Sequence, residues 1–213
     1  MDILIYEKGI ELSKATNALI LLHGRGGTAS SILPLSEKFC DNTFYIVAPQ
    51  ANNNTWYPYT FLEEEDKNEP WLSNSIHNIK QLIEKIALNI PKKNIFIMGF
   101  SQGACLTLEV CGRYPENYGG IIAFTGGLIG KELNISRYKG NFLGTKVFIG
   151  NSDKDPHVPL SRSQKTKEIF ELLGANVTLK VYPNMPHTIN EEEIEWVKTN
   201  IFNAHLKKNK AAS

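Results

Sequence analysis

Three short stretches hold the side chains able to do covalent chemistry. Gly99-Phe100-Ser101-Gln102-Gly103 fits the pattern G-x-S-x-G. Asn151-Ser152-Asp153-Lys154-Asp155-Pro156-His157 and Pro183-Asn184-Met185-Pro186-His187 supply acids and imidazoles farther along. A serine hydroxyl is a poor nucleophile until a base takes its proton, so a histidine must come within hydrogen-bond reach. A carboxylate must then hold that imidazole in the right tautomer. The chemistry on offer is nucleophilic attack by Ser101, with a His as base and an Asp behind it.

The elements around Ser101 have to put it on a sharp turn. Ile95-Phe96-Ile97-Met98 is short, apolar and partly β-branched, as a buried parallel strand would be. Ala104, Leu106, Leu108 and Glu109 follow as helix formers. Strand, tight turn and helix is the setting in which G-x-S-x-G means a nucleophile elbow. A Cβ at position 99 or 103 would collide with the strand or helix, which explains Gly99 and Gly103. The turn also places Ser101 at a helix N-terminus, where developing negative charge is favoured.

The rest of the chain alternates strands with helices. Residues 2–12 read as an edge hairpin turning at Gly9. Strands are expected at 18–22, 44–48, 120–124, 146–150 and 177–182. The first of these runs into His23-Gly24-Arg25-Gly26-Gly27, whose backbone N–H groups a ligand can approach. Thr28 or Ser30 caps the next helix, with Ile32, Leu33, Leu35 and Phe39 on its apolar side. Leu72, Ile76, Ile79, Ile83, Ile86 and Ile90 recur in steps of four and three, an amphipathic helix ended by Pro91. Ser161 with Gln164 suggests a capping box for a helix reaching Gly174, and Asn190 with Glu193 one for the last helix. This order predicts an α/β fold, a mostly parallel central sheet with helices on both faces. Ligands then sit at the carboxyl ends of the strands.

Five histidines compete for the role of base. His77 falls off the apolar stripe of its helix, and His205 lies near the chain end. His23 shapes the glycine loop, and His157 lines the pocket. His187 alone follows the last strand, where the order Ser, acid, His puts the base. For the acid, Asp153 and Asp155 differ by two positions and spacing does not separate them. Residues 50–70 form a long loop carrying Trp56, Tyr57, Tyr59 and Phe61, which argue against disorder; Trp71 could join them. Trp56 and Tyr57 are candidates for lining a substrate pocket, against the plainer reading that they fasten the loop.

At 213 residues, 42% hydrophobic and net charge +1, the chain suits one globular domain over 1–213. The charge offers no case for nucleic acid or an anionic membrane as partner. Lys207, Lys208 and Lys210 read as a helix end and a frayed basic tail over about 207–213. Three cysteines, Cys40, Cys105 and Cys111, have no framework spacing, which predicts reduced thiols and a cytoplasmic protein. No apolar run approaches the ~20 residues that span a bilayer. The N-terminus carries acid early and does not read as a signal peptide. There is no metal-ligand spacing.

The chain resembles the α/β-hydrolases of the phospholipase/carboxylesterase family, which includes carboxylesterases and acyl-protein thioesterases. The resemblance runs from about Ala18 to the last helix. It rests on Leu22-His23-Gly24, Gly99-Phe100-Ser101-Gln102-Gly103-Ala104, Asp155-Pro156-His157-Val158-Pro159 and Met185-Pro186-His187. It implies Asp155 as the acid, His187 as the base, and the backbone N–H groups of Gln102 and Arg25 as the oxyanion hole. It implies cleavage of carboxylic esters of small or medium acyl groups through an acyl-enzyme, with no cofactor or metal. A thioesterase or lysophospholipase would use the same triad, and a binding protein on a hydrolase fold is the alternative of another class. Arg25 stands where acyl-protein thioesterases usually carry an apolar residue. The Asn54-Thr55-Trp56-Tyr57-Pro58 segment is more typical of small bacterial esterases. The Arg25 side chain is left with two readings, a carboxylate clamp or a solvated surface charge.

Overall fold

The computed structural model describes residues 3–207. Among them, seven strands make one sheet: β1 (Ile5–Gly9), β2 (Asn17–Leu22), β3 (Phe44–Pro49), β4 (Ile95–Phe100), β5 (Gly120–Phe124), β6 (Lys146–Ser152) and β7 (Asn176–Tyr182). Their order is β1-β3-β2-β4-β5-β6-β7. Every pairing is parallel except β1 with β3. The apolar runs at 18–22, 44–48 and 95–98 are three of the five inner strands, buried on both faces. The apolar residues alternate between two cores. Ile20, Leu22, Ile97 and Ile121 face one layer, while Leu19, Leu21, Met98 and Ile122 face the other.

Helices cover both layers. On the first lie α2 (Trp71–Ala87), α3 (Gln102–Arg113) and α4 (Leu160–Leu172). On the second lie α1 (Ala29–Ile32) and α5 (Glu191–Val197), which runs on as a π-turn over Lys198–Asn203. Leu72, Ile76, Ile79, Ile83 and Ile86 of α2 are all buried, and His77 is exposed, as the stripe predicts. Asn190 and Glu193 form the expected reciprocal box: each side chain accepts the other's backbone N–H, at 2.8 and 2.9 Å. Thr28 caps α1, and Gly174 (φ 78°) follows the C-cap of α4.

The structure corrects four expectations. The hairpin over 2–12 does not form. Its first arm is β1, which pairs with β3 from Ile5↔Pro49 to Gly9↔Tyr45, and Leu12–Lys14 is a 3₁₀ turn. Gly9 is needed because a Cβ there would sit 2.3 Å from the Phe44 carbonyl oxygen, not because it turns a hairpin. The helix after the glycine loop has one α-turn and then becomes 3₁₀ over Leu33–Lys38, where Pro34 has no N–H to continue it. Helix α4 has no capping box. It starts one residue before Ser161, behind Pro159, so Ser161 is already helical and cannot cap. Trp71 is exposed at the start of α2, apart from the loop aromatics. Asp2 and most of the basic tail, 208–213, lie outside the described residues. No helix of the described residues is long and apolar enough to cross a membrane.

Candidate active site

Ser101 sits between β4 and α3 with φ 54° and ψ −118°, a conformation L-residues rarely adopt. Two glycines let the turn close. A Cβ on Gly99 would lie 2.3 Å from the Gly103 carbonyl oxygen, and one on Gly103 2.1 Å from that of Leu22. The elbow thus packs against the end of β2. Gly24 completes the approach, since its Cβ position is 3.4 Å from the Ser101 Cβ. The Ser101 N–H donates to the Phe124 carbonyl at 3.0 Å, which ties the turn to β5.

His187 reaches Ser101 from the loop after β7, 86 residues later in the chain. Its Nε2 is 2.8 Å from Ser101 Oγ, and its Nδ1 is 2.7 Å from Asp155 Oδ2. A carboxylate only accepts, so Nδ1 carries the proton and Nε2 is left to accept from the hydroxyl. Asp155 comes from the loop after β6, and its side chain is fully covered. Burial alone would raise its carboxyl pKa. The hydrogen bond from His187, with those from the His157 and Val158 backbone at 2.9 and 2.8 Å, outweighs burial and holds it below the usual value. Asp153 is elsewhere, exposed, with Oδ1 accepting the Asn184 N–H at 2.7 Å. His157 sits edge-on to His187, ring centroids 4.8 Å apart.

Ser101 and His187 open onto a cavity of about 500 Å³ whose walls include Tyr57, Phe61, Leu62 and Val158. His157 and Tyr57 line it, as expected from the sequence; Trp56 does not. Trp56 lies behind the wall, 2% exposed, with its indole N–H on the His23 carbonyl at 2.8 Å and its ring against the His23 imidazole. His23 is itself interior. Burial lowers its pKa against the opposing Gly24 hydrogen bond, and Nδ1 donates to the Gly24 carbonyl while Nε2 accepts the Ala51 N–H. Cys105 also touches the cavity, but burial pushes its thiol up to about 12, which removes it as a rival nucleophile.

The Arg25 and Gln102 backbone N–H groups have no acceptor among the described residues. Their side chains do something the sequence did not suggest: both grip the 50–70 loop. The Gln102 carboxamide accepts the Trp56 N–H at 3.1 Å and donates to the Tyr57 carbonyl at 2.8 Å. The Arg25 guanidinium donates to Thr55 Oγ1 at 3.1 Å and to the carbonyls of Pro58 and Tyr59. Arg25 is thus exposed, as the surface-charge reading has it, but its guanidinium is also tied to the loop. Asn68 holds the far side of the loop, accepting from Tyr59 N and donating to the Thr60 carbonyl.

Such an arrangement can deliver a hydroxyl nucleophile to a carbonyl bound in the cavity and hand its proton to an adjacent imidazole. Comparison with known proteins identifies the family. A family model described as phospholipase/carboxylesterase matches residues 10–205. A crystal structure of a phospholipase/carboxylesterase from Dyadobacter fermentans is 46% identical, with a TM-score of 0.92 over 94% of this chain and 96% of that one. Acyl-protein thioesterase 1 of Debaryomyces hansenii is 32% identical, covering 84% of this chain and 88% of that protein. A probable carboxylesterase of Arabidopsis thaliana, SOBER1-like, is 25% identical, covering 88% and 78% respectively. A fold with a serine elbow and a family match over nearly its whole length give one answer: the chain belongs to the phospholipase/carboxylesterase family of hydrolases.

Proposed function

We propose that the protein is a carboxylesterase that works through an acyl-enzyme on Ser101, with Asp155 and His187 as the other members of the triad. One observation carries this reading. Ser101 Oγ, His187 and Asp155 form a continuous hydrogen-bonded chain, 2.8 and 2.7 Å, in the wall of a largely apolar cavity. His187 Nε2 takes the Ser101 proton as Oγ bonds to the ester carbonyl carbon. The carbonyl oxygen becomes an oxyanion received by the Arg25 and Gln102 N–H groups. When the tetrahedral species collapses, the carbon–oxygen bond to the alcohol breaks and His187 returns the proton to the departing oxygen. Water, deprotonated by the same imidazole, then releases the acid from Ser101.

The same site would accept thioesters, and the acyl-protein thioesterase name of one relative favours including them. Free thiols at Cys40, Cys105 and Cys111 support a reducing compartment, the cytoplasm. The test is burst release of chromophore from an activated ester, with a fluorophosphonate label mapped to Ser101. A stoichiometric burst and a labelled Ser101 are expected. Ser101→Ala should abolish both without loss of fold, since Ala meets the same backbone strain as Ser. Activity of that variant within about tenfold of the parent would defeat the nucleophile assignment, and a parent with neither burst nor label would leave a binding protein as the better account.

A further inference from the structure

Beside the main cavity lies a second hollow of about 330 Å³. Ile32, Leu35, Phe100 and Ile189 form its apolar wall, and Gly24, Arg25 and Phe100 belong to both hollows. The four apolar residues come from three places: α1 and the 3₁₀ turn after it, the end of β4, and the loop beyond His187. Phe100 immediately precedes Ser101, and Ile189 is two residues past His187. Leu35, Phe100 and Ile189 are only half-buried, so the fold leaves apolar surface uncovered right beside the nucleophile.

An ester has two arms that diverge from one carbonyl carbon. Ser101 and His187 line the large cavity, and neither lines the small one. The arm that stays bonded to Ser101 after the first half-reaction therefore belongs in the large cavity. The small hollow, reached across the Gly24–Arg25 strip, suits the arm that leaves. We infer that it is a leaving-group subsite for an uncharged, apolar alcohol, an alkyl or aryl one. This rests on the esterase reading above. During acylation the carbonyl carbon–oxygen bond to that alcohol breaks, and the alcohol oxygen takes its proton from His187. Its apolar group departs from the wall of Leu35 and Ile189, and the acyl group remains on Ser101.

Arg25 is the one charged side chain among the described residues lining the hollow. Arg25, its cation, is committed to Thr55, Pro58 and Tyr59, and the His23 ring nitrogens face Gly24 and Ala51. Ligand sites of this kind are mostly apolar and begin at about 300 Å³, which the hollow meets.

Leu35 bonds to nothing in the catalytic machinery and lies on an open rim, so it is the residue to change. The measurement is kcat/KM for two series: butyrate esters of alcohols of rising chain length, and nitrophenyl esters of acids of rising chain length. Leu35→Trp, which fills the hollow, is expected to lower the long-to-short alcohol ratio about tenfold and to leave the long-to-short acyl ratio within about twofold. Leu35→Ala, which enlarges it, is expected to raise the alcohol ratio and again spare the acyl ratio. A change confined to the acyl ratio would reverse the assignment, and alcohol ratios unmoved in both variants would defeat the subsite alone. No hydrolysis by the parent, on any ester, would defeat the esterase reading and the subsite with it.

Discussion

Asp153 and Asp155 stand two residues apart and meet the loop after β7 at different residues: Asp155 Oδ2 meets His187 Nδ1 at 2.7 Å, while Asp153 Oδ1 accepts the Asn184 N–H, also at 2.7 Å. One carboxylate orients the imidazole. The other pins the loop that carries it.

The two are separable by charge. Asp155→Asn removes the acceptor that fixes the His187 tautomer and should lower kcat about 10⁴-fold. Asp153→Asn keeps an oxygen for the Asn184 N–H and should cost less than about tenfold. Turnover of an activated ester by the two purified variants decides it, and the reverse order would move the acid by two residues.

Trp56 tests the boundary between wall and support. Its truncation to Ala leaves a hole against His23 and deletes the bond to the His23 carbonyl, a loss of roughly 3–5 kcal/mol. For a protein of this size that is a fall of about 10 °C in melting temperature. The ratio of kcat/KM between long and short acyl esters should not move. Trp56→Phe keeps the packing and serves if the Ala variant does not fold. A changed acyl ratio in either variant would put Trp56 in the wall after all.

Gln102 separates backbone from side chain. Gln102→Ala retains the N–H proposed for the oxyanion and removes the grip on Trp56 and Tyr57. The loop supplies Tyr57, Phe61 and Leu62 to the cavity, so the loss in kcat/KM should grow with acyl length. A lost oxyanion donor would instead lower all substrates alike by about 10²–10³.

Glu193 gives stability a pH dependence. Its side chain is buried beside Gly150, one oxygen without a partner, and burial raises its pKa to about 7, against the hydrogen bond from Asn190 and with help from the nearby Glu192 charge. The unfolded carboxyl titrates near ~4.3. Between those values the folded state holds the proton more tightly than the unfolded one, so stability falls as pH rises from about 4.3 to about 7. Glu193→Gln keeps an acceptor for Asn190 and cannot ionise. Urea titrations across that window should show this downward contribution in the parent and its absence in the variant. Parallel curves would refute it.

Much of this was legible in the sequence because the signals were local. The inner strands are short apolar runs between turn residues, and the elbow needs glycine at 99 and 103 for contacts within a few ångströms. His187 follows from chain order alone. What stayed hidden depends on distant partners. Position 153 or 155 is a choice of which way two neighbouring side chains turn, and spacing does not carry it. The Arg25 and Gln102 grips reach residues 30 and 46 positions away. An aromatic such as Trp56 announces burial but not which side of a wall it occupies. Gly9 looked like a hairpin turn because a close backbone approach and a turn demand the same residue.

The 86-residue separation of Ser101 and His187 also bears on synthesis. At a translation rate of about 5–20 residues per second, the ribosome adds His187 about 4–17 s after Ser101. Through that interval the nascent chain carries Ser101 without its proposed base and, until Asp155 follows, without its proposed acid. On the proposed triad, the growing polypeptide therefore has no base for Ser101 until after its seventh strand has been made.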